Sequence, residues 1–278
     1  MREVQQRRWS ALTTSQAFVL HLALSLLIFS SLIYVMALYW FPGELFFMDG
    51  GYEGIKLVAM VDLVLGPLLT LLLFKRGKPS LVFDLSVVAC LQIAALAYGF
   101  YATYNQRIVA YVYAENRFNT LTIAEHRESN ERLIAKGVEP VAIKKFGDQF
   151  PVSVYTRAFD KETYGEYLES IFNDFPAARE RSDQYLDLQQ HHDALAQRQL
   201  TPQELEQAGK LELVESLIQS EDYTIEEVEF YPLKARYESG LAVFDPKLKR
   251  VTDVLRHPDL REIEINRVAT TEEANEAN

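Results

Sequence analysis

The residue with the clearest capacity for chemistry is Asp62, a carboxylic acid inside an apolar stretch of the chain. A carboxylate at membrane depth is energetically expensive, so such a residue is by default a functional candidate. Gly66 and Pro67 follow one helical turn later, and Pro67 lacks the N–H that would bond the carbonyl of Leu63. Gln92 lies at a similar depth if two apolar stretches pack antiparallel, and its amide also needs a partner in lipid.

Two hypotheses account for this polar group. In the first, Asp62 belongs to a proton or ion pathway. In the second, Asp62, the freed carbonyl of Leu63 and Gln92 form a polar clasp that locks the three-helix bundle and serves in helix recognition. We favour the clasp, because three helices make a poor transport path and the sequence offers no second carboxylate to face Asp62.

The histidines do not predict a metal site. His21 and Asp84 each lie about one turn inside the end of an apolar stretch, where they could pair or, as we favour, reach the lipid headgroups separately. His191 and His192 are adjacent, and adjacent side chains on a helix point ~100° apart, so they cannot ligate one ion from the same face. The sequence therefore predicts no metal and no cofactor.

Motifs of the common enzyme classes do not occur in the sequence. There is no Gly-x-Ser-x-Gly, P-loop, Gly-x-Gly-x-x-Gly or His-Glu-x-x-His. The one cysteine, Cys90, lies inside an apolar stretch, so no disulfide or thiolate metal site is available elsewhere. These observations predict a non-enzymatic protein.

Three apolar segments must position the polar residues, and they span 17–39, 55–74 and 81–103. About 20 apolar residues in an α-helix cross the ~30 Å hydrocarbon core, so each segment can span a membrane. The first is longer than a signal-peptide core of ~7–15 residues and ends in Tyr-Trp-Phe-Pro, which predicts an uncleaved helix. We therefore expect a multi-pass membrane protein in contact with the lipid bilayer.

The loop charges predict the orientation of the helices. The basic residues that flank the apolar segments on one side are Arg2, Arg7, Arg8, Lys75, Arg76 and Lys78. The loop between the first two segments instead carries Glu44, Asp49 and Glu53. Since Lys and Arg mark the cytoplasmic side, the N-terminus is predicted to be cytoplasmic and residues 104–278 to lie outside the cytoplasm.

The region that follows the helices is acidic. The first 103 residues carry seven basic and six acidic side chains, so the total of -11 leaves -12 on residues 104–278. Nucleic acid and anionic lipid both repel such a domain, which argues against either as a partner.

The same region has the pattern of an α+β domain with an antiparallel sheet. A hairpin is predicted at 107–114 and 118–123, followed by a helix at 124–136 and a strand at 149–157. Residues 162–199 are helical in composition with a break at 174–176, and Thr201 to Glu204 form a capping box. A meander is predicted at 224–236, 240–244 and 250–255. We expect a three-helix membrane domain at 1–104, an extracytoplasmic α+β domain at 105–268 and a disordered tail at 269–278.

Several motifs resemble those of a known membrane family. The most specific block is Val61 to Thr70 (VDLVLGPLLT), because an aspartate followed by Gly-Pro inside a spanning helix is rare. The other matching positions are His21, Asp49, Gly50, Gly51, Asp84 and Gln92. Together they resemble the type IV pilin accessory proteins of the TfpX/TfpZ kind.

This resemblance implies a function. Members of the family are non-enzymatic proteins of the bacterial inner membrane that assist incorporation of the type IV major pilin and surface piliation. The implied partner is therefore that pilin, which has one hydrophobic helix and an exported globular head, and the C-terminal domain is implied to be periplasmic. The alternative is a membrane-anchored periplasmic enzyme or glycan-transfer helper, which would need an acidic or nucleophilic constellation that the sequence does not display.

Overall fold

The computed structural model describes residues 13–75, 78–156, 164–218 and 224–261. The chain forms two compact units. The first comprises the residues up to Pro42 together with Gly50–Asn105, and the second comprises Gly43–Asp49 with the chain from Gln106 onward. Arg2, Arg7, Arg8, Arg76 and the tail 269–278, to which the sequence assigned an orientation or disorder, lie outside the described residues.

Three long apolar helices make up the first unit. They are α1 (Thr14–Trp40), α3 (Gly51–Leu73) and α4 (Leu81–Asn105), and each is long and apolar enough to cross a membrane. Thr13 begins α1 with a capping box in which its hydroxyl accepts from the amide of Gln16. The prediction of three membrane-spanning segments is confirmed as to their length and composition.

A seven-stranded mixed sheet forms the second unit. Its strands are β1 (Ile108–Ala114), β2 (Arg117–Thr122), β3 (Val152–Thr156), β4 (Tyr185–Asp187), β5 (Glu229–Lys234), β6 (Ser239–Asp245) and β7 (Arg250–Leu255). Their order is β4-β3-β1-β2-β5-β6-β7. The β1–β3 and β2–β5 pairs are parallel, and the other pairs are antiparallel. The predicted fold class, membrane helices followed by an α+β domain, is confirmed. The sheet, which the sequence predicted to be antiparallel, is mixed, because β3 and β5 pair in parallel with the β1–β2 hairpin.

The hairpin and the meander follow from local sequence. Glu115 and Asn116 connect β1 to β2 with φ of +54° and +61°, the left-handed conformation of a tight hairpin turn that matches the strand twist. The strands β5, β6 and β7 pair antiparallel in chain order, as predicted. Every residue of β1 is buried, because β1 lies inside the sheet and both of its faces are covered.

Five short helices accompany the sheet among the described residues. They are α5 (Ile123–Ala135), α6 (Tyr164–Phe172), α7 (His192–Ala196), α8 (Pro202–Gln207) and α9 (Leu211–Ile218). Thr122 and Thr201 begin α5 and α8 with capping boxes, which confirms the predicted start at Thr201. One apolar cluster joins α8 and α9 to the meander through Leu205, Val214 and Phe230.

The prediction of a helical region at 162–199 is wrong for much of its length. Between the predicted break and α7 the chain forms three single-turn 3₁₀ segments and the edge strand β4. Tyr185 decides this conformation, since its ring is buried and its hydroxyl donates to the carbonyl of Arg179 at 2.6 Å. Side-chain composition favoured helix there, but pairing of β4 with β3 and burial of Tyr185 override that preference.

The loop between α1 and α3 is an integral part of the second unit. Residues Leu45–Met48 form the short helix α2, in which Leu45 and Met48 are fully buried. The amide of Tyr237 donates to the carbonyl of Met48 at 3.0 Å, and the Arg256 guanidinium lies 5.2 Å above the Phe47 ring. The sequence suggested a single domain boundary near residue 104. In the structure the 43–49 loop belongs with the residues after that boundary, because it packs against them.

Candidate functional site: a polar groove among the apolar helices

Polar side chains from α1, α3 and α4 converge on one groove of about 450 Å³ in the first unit. The polar residues of its lining are His21, Ser25, Asp62, Thr70 and Gln92, and the remaining lining is apolar. The structure thus brings Asp62 and Gln92 to one place, as the sequence suggested, and adds His21 to them.

A change of helical winding presents Asp62 to the groove. Residues Met60–Leu65 form a π segment within α3, in which the amide of Gly66 donates to the carbonyl of Val61. Pro67 has no N–H, so it can donate neither to the carbonyl of Asp62 at this five-residue spacing nor to that of Leu63 at regular α-helical spacing. The irregularity therefore coincides with the intramembrane carboxylate, and such π segments are frequent at functional sites.

Gly66 allows close approach of α3 and α4. A Cβ added at Gly66 would overlap the side-chain amide of Gln92. Gly99 of α4 has the same role nearer the other end, where an added Cβ would lie 3.1 Å from a methyl group of Val58. Small residues at helix contacts let backbones approach closely in lipid, and here they bring Gln92 against the irregular part of α3.

His21 lies in the groove and not beside Asp84. Its Nδ1 lies 2.5 Å from the hydroxyl of Thr70, and its ring interacts with Gln92 and with the charge of Asp62. Asp84 forms an ion pair with Lys78 and accepts from the hydroxyl of Ser80 at 3.2 Å. The two residues that the sequence left open as a pair thus have separate partners.

The arrangement is suited to hydrogen bonding in an apolar environment. His21, Asp62 and Gln92 offer donors and acceptors at the bottom of a groove whose walls are Leu, Ile, Val, Ala and Phe side chains. Polar side chains across helices contribute hydrogen bonds that help hold them together in lipid. Within the described ranges, no group of three or more His, Cys, Asp or Glu side chains is arranged to hold a metal ion.

Asp49 is the second candidate, and it lies in the second unit. Its side chain is 1% exposed, and its Oδ1 accepts from the Thr120 hydroxyl at 3.1 Å and from the Arg236 amide at 2.9 Å. Burial raises the pKa of Asp49 to about 6, against the opposing effect of these hydrogen bonds. Gly50 follows with φ +96°, a left-handed conformation that glycine adopts without strain, and this turn leads into α3.

Comparison with known proteins identifies the family. A fimbrial assembly protein of serogroups C1 and C2 from Dichelobacter nodosus is 30% identical over 96 residues, which are 34% of this chain and 73% of the relative. The chain belongs to a family of fimbrial assembly proteins. A fimbrial assembly protein of serogroup I from the same organism is 30% identical over 105 residues, 37% of this chain, and the chain spans 41% of that relative's length. Neither a family model nor a solved structure matches the chain.

Sequence reasoning found some site residues and missed others. The resemblance singled out Asp49, Gly50 and Gly51 without a structural role for them. Thr120 and Arg236, which hold the Asp49 carboxylate, were not identified. The only available signal was the resemblance at Asp49, Gly50 and Gly51, and it does not encode partners that lie far along the chain.

Proposed function

We propose that this protein is a non-enzymatic accessory protein that binds the type IV major pilin in the bacterial inner membrane and assists pilus assembly. The observation that carries the proposal is the similarity to two fimbrial assembly proteins, one of which is matched over 73% of its length. The Val61 to Thr70 block, which resembles the TfpX/TfpZ kind of pilin accessory protein, supports the narrower assignment to type IV pili.

The proposed topology has a cytoplasmic N-terminus and a periplasmic C-terminal unit. The three helices support it, because an odd number of spans leaves the chain on the side opposite its start. The loop Gly43–Asp49 also supports it, since this loop packs within the same unit as the C-terminal chain and the two must share one side of the membrane. The basic residues near the N-terminus and before α4 assign that side to the periplasm.

In this proposal the groove meets the hydrophobic helix of pilin. The recognition element consists of Asp62, Gly66, Pro67 and Gln92. Close packing of α3 and α4 holds its polar groups in the apolar groove. The second unit is available for the exported head of pilin. A chain with one lipid-embedded surface and one exported surface suits pilin, which has a hydrophobic helix and an exported head.

Deleting the gene in the host bacterium tests the function. We expect several-fold fewer surface pili by electron microscopy and less pilin in the sheared fraction, with restoration by the wild-type gene. A tagged copy should crosslink to pilin before assembly, whereas an unrelated tagged inner-membrane protein should not. Normal piliation in the deletion strain, or a failure to crosslink at normal expression, contradicts the proposal.

Two substitutions at Asp62 separate the clasp from a proton pathway. Asp62→Asn keeps a hydrogen-bonding side chain, so protein abundance and piliation should stay near wild type. Asp62→Leu removes the carboxylate whose charge acts on His21 and leaves the other polar side chains of the groove without it. Because intramembrane hydrogen bonds contribute ~0.6–2 kcal/mol, it should lower abundance, pilin crosslinking or both several-fold.

Immunoblots of membranes and pilus counts for both variants provide the measurement. Asp84→Asn is the matched control, since Asp84 pairs with Lys78 and does not line the groove. A proton pathway predicts a different pattern, in which Asp62→Asn abolishes piliation as fully as Asp62→Leu while abundance is unchanged.

A further inference from the structure

A polar pocket of about 330 Å³ lies in the second unit, where β2 and β5 separate. These parallel strands pair only at Phe118 with Leu233 and at Asn119 with Lys234. Beyond these pairs the strands diverge, and the carboxylate of Asp49 bridges them through Thr120 and the amide of Arg236. The pocket occupies the resulting crevice, and its volume is within the range of ~300–1,000 Å³ that is usual for ligand sites.

The charges that line the pocket differ from those of the rest of the region. Four basic side chains and three acidic ones line it, although residues 104–278 carry a net charge of -12. Arg179 has a structural role, because it donates to Glu125 at 2.8 Å and to the carbonyl of Thr120 at 2.9 Å. Arg117 lies 3.6 Å from Glu115 at the hairpin turn.

Lys234 and Arg236 present positive charge at the pocket, and the Asp49 carboxylate offsets part of the Arg236 charge. Both side chains are exposed, and among the described residues neither has a carboxylate within ion-pair distance. Arg236 instead donates to the neutral side chain of Gln106, and its guanidinium lies 5.7 Å from the centre of the Tyr237 ring. Two neighbouring cations of this kind attract an anionic group.

Asp49 adds an unused acceptor to the same pocket. Its Oδ2 is buried and has no hydrogen-bond partner among the described residues, while Oδ1 accepts two hydrogen bonds. A buried polar atom without a partner costs about 1–3 kcal/mol, and more when it is charged, so the site favours a ligand that supplies an N–H. Phosphate at neutral pH can offer only its acidic O–H groups to this oxygen, and the charge it adds would be repelled by Asp49 and Glu115, whereas a peptide N–H donates without adding charge.

We propose that this pocket binds a short acidic segment of polypeptide, whose carboxylate contacts Lys234 and Arg236 while a backbone N–H donates to Oδ2 of Asp49. A peptide with an acidic side chain combines the anion and the donor that the lining requires. This inference rests on the proposed function, which supplies the origin of the peptide. The peptide would belong to the exported part of the protein whose assembly this chain assists.

The test uses full-length protein in detergent and two blocked tripeptides, acetyl-Gly-Glu-Gly-amide and acetyl-Gly-Gln-Gly-amide, with inorganic phosphate as a third probe. Ligand-detected NMR at neutral pH and low salt should show saturable binding of the glutamate peptide at millimolar concentration. Loss of one charge-assisted contact should weaken binding about tenfold, both for the glutamine peptide and for Lys234→Gln. Lys247→Gln, which alters an exposed lysine elsewhere in the same unit, should leave binding unchanged.

Several results overturn the inference. They are no saturable binding of the glutamate peptide up to about 10 mM, equal binding of the two peptides, tighter binding of phosphate, or an affinity that Lys234→Gln does not change. These outcomes are distinguishable from failure of the proposed function. Normal piliation in the deletion strain refutes the assembly role, whereas absent peptide binding with defective piliation refutes the pocket assignment alone.

Discussion

Replacing Gly240 by alanine is expected to destabilise the second unit by about 3 kcal/mol or more. An added Cβ would overlap the backbone carbonyl of Leu255 on β7 and would lie 3.1 Å from the terminal methyl of Met48. Neither the strand nor the buried Met48 can move freely, because Met48 is fully buried and Leu255 lies beside Leu241 in the β6–β7 pair. The substitution therefore forces apart the end of the β6–β7 pair at which β6 begins.

Pulse proteolysis of the detergent-solubilised full-length protein across a urea series measures this loss, with the C-terminal fragment followed by immunoblot. Gly165→Ala is the matched control. Gly165 is exposed on α6, and an added Cβ would meet no atom within 4 Å. Alanine should there be neutral or stabilise by up to ~1 kcal/mol. A Gly240→Ala midpoint within error of wild type would mean that β6 and β7 accommodate the methyl group.

Replacing Asp49 by asparagine should remove much of the pH dependence of stability. The pKa of Asp49 rises from 3.8 to about 6 on folding, mainly because the carboxylate is buried. A raised pKa means that the folded state binds the Asp49 proton more tightly than the unfolded state does. The resulting contribution to the free energy of unfolding is complete below about pH 4 and is lost as the pH rises through 6. A shift of about two pH units corresponds to about 3 kcal/mol in total, and asparagine does not titrate.

The measurement is the urea midpoint of wild type and Asp49→Asn at about pH 4.5 and about pH 7.5. Between these values the stability of wild type relative to the variant should fall by about 2 kcal/mol. Asp148→Asn, at an exposed aspartate that does not line the Asp49 pocket, is the matched control. Parallel profiles for wild type and Asp49→Asn would show that Asp49 stays ionised in the folded protein. Two further charges act on this carboxylate: that of Glu125 raises the pKa of Asp49, and that of Arg236 lowers it.

Elements that depend on local signals could be predicted from the sequence. Hydropathy alone located α1, α3 and α4. The turn at Glu115 and Asn116 could be predicted because the segments on either side have the residue pattern of strands. The capping box at Thr201 predicted the first residue of α8, because its two hydrogen bonds involve residues only three positions apart. These features need no knowledge of distant parts of the chain.

Features that depend on tertiary contacts could not be predicted. The π winding of Met60–Leu65 is a compromise between Pro67 and packing of Gly66 against Gln92, which no local propensity describes. The edge strand β4 forms because β3 offers it a partner, although its sequence neighbours favour helix. The lining of the groove was predicted only in part. Asp62 and Gln92 were expected at a similar depth in the membrane, whereas His21, which also lines the groove, was assigned to the lipid headgroups.

The hydrogen bond from the amide of Arg236 to Asp49 joins residues 187 positions apart. A chain made at ~5–20 residues per second leaves a gap of roughly 10–40 s between these two residues. Throughout that interval Leu45 and Met48, which end fully buried, have no strand β5 or β6 to pack against. Capture of the 43–49 loop therefore has to wait for synthesis of the strands that receive it. A nascent chain arrested before residue 236 would expose the loop's apolar side chains, which makes that loop a natural target for chaperones during biogenesis.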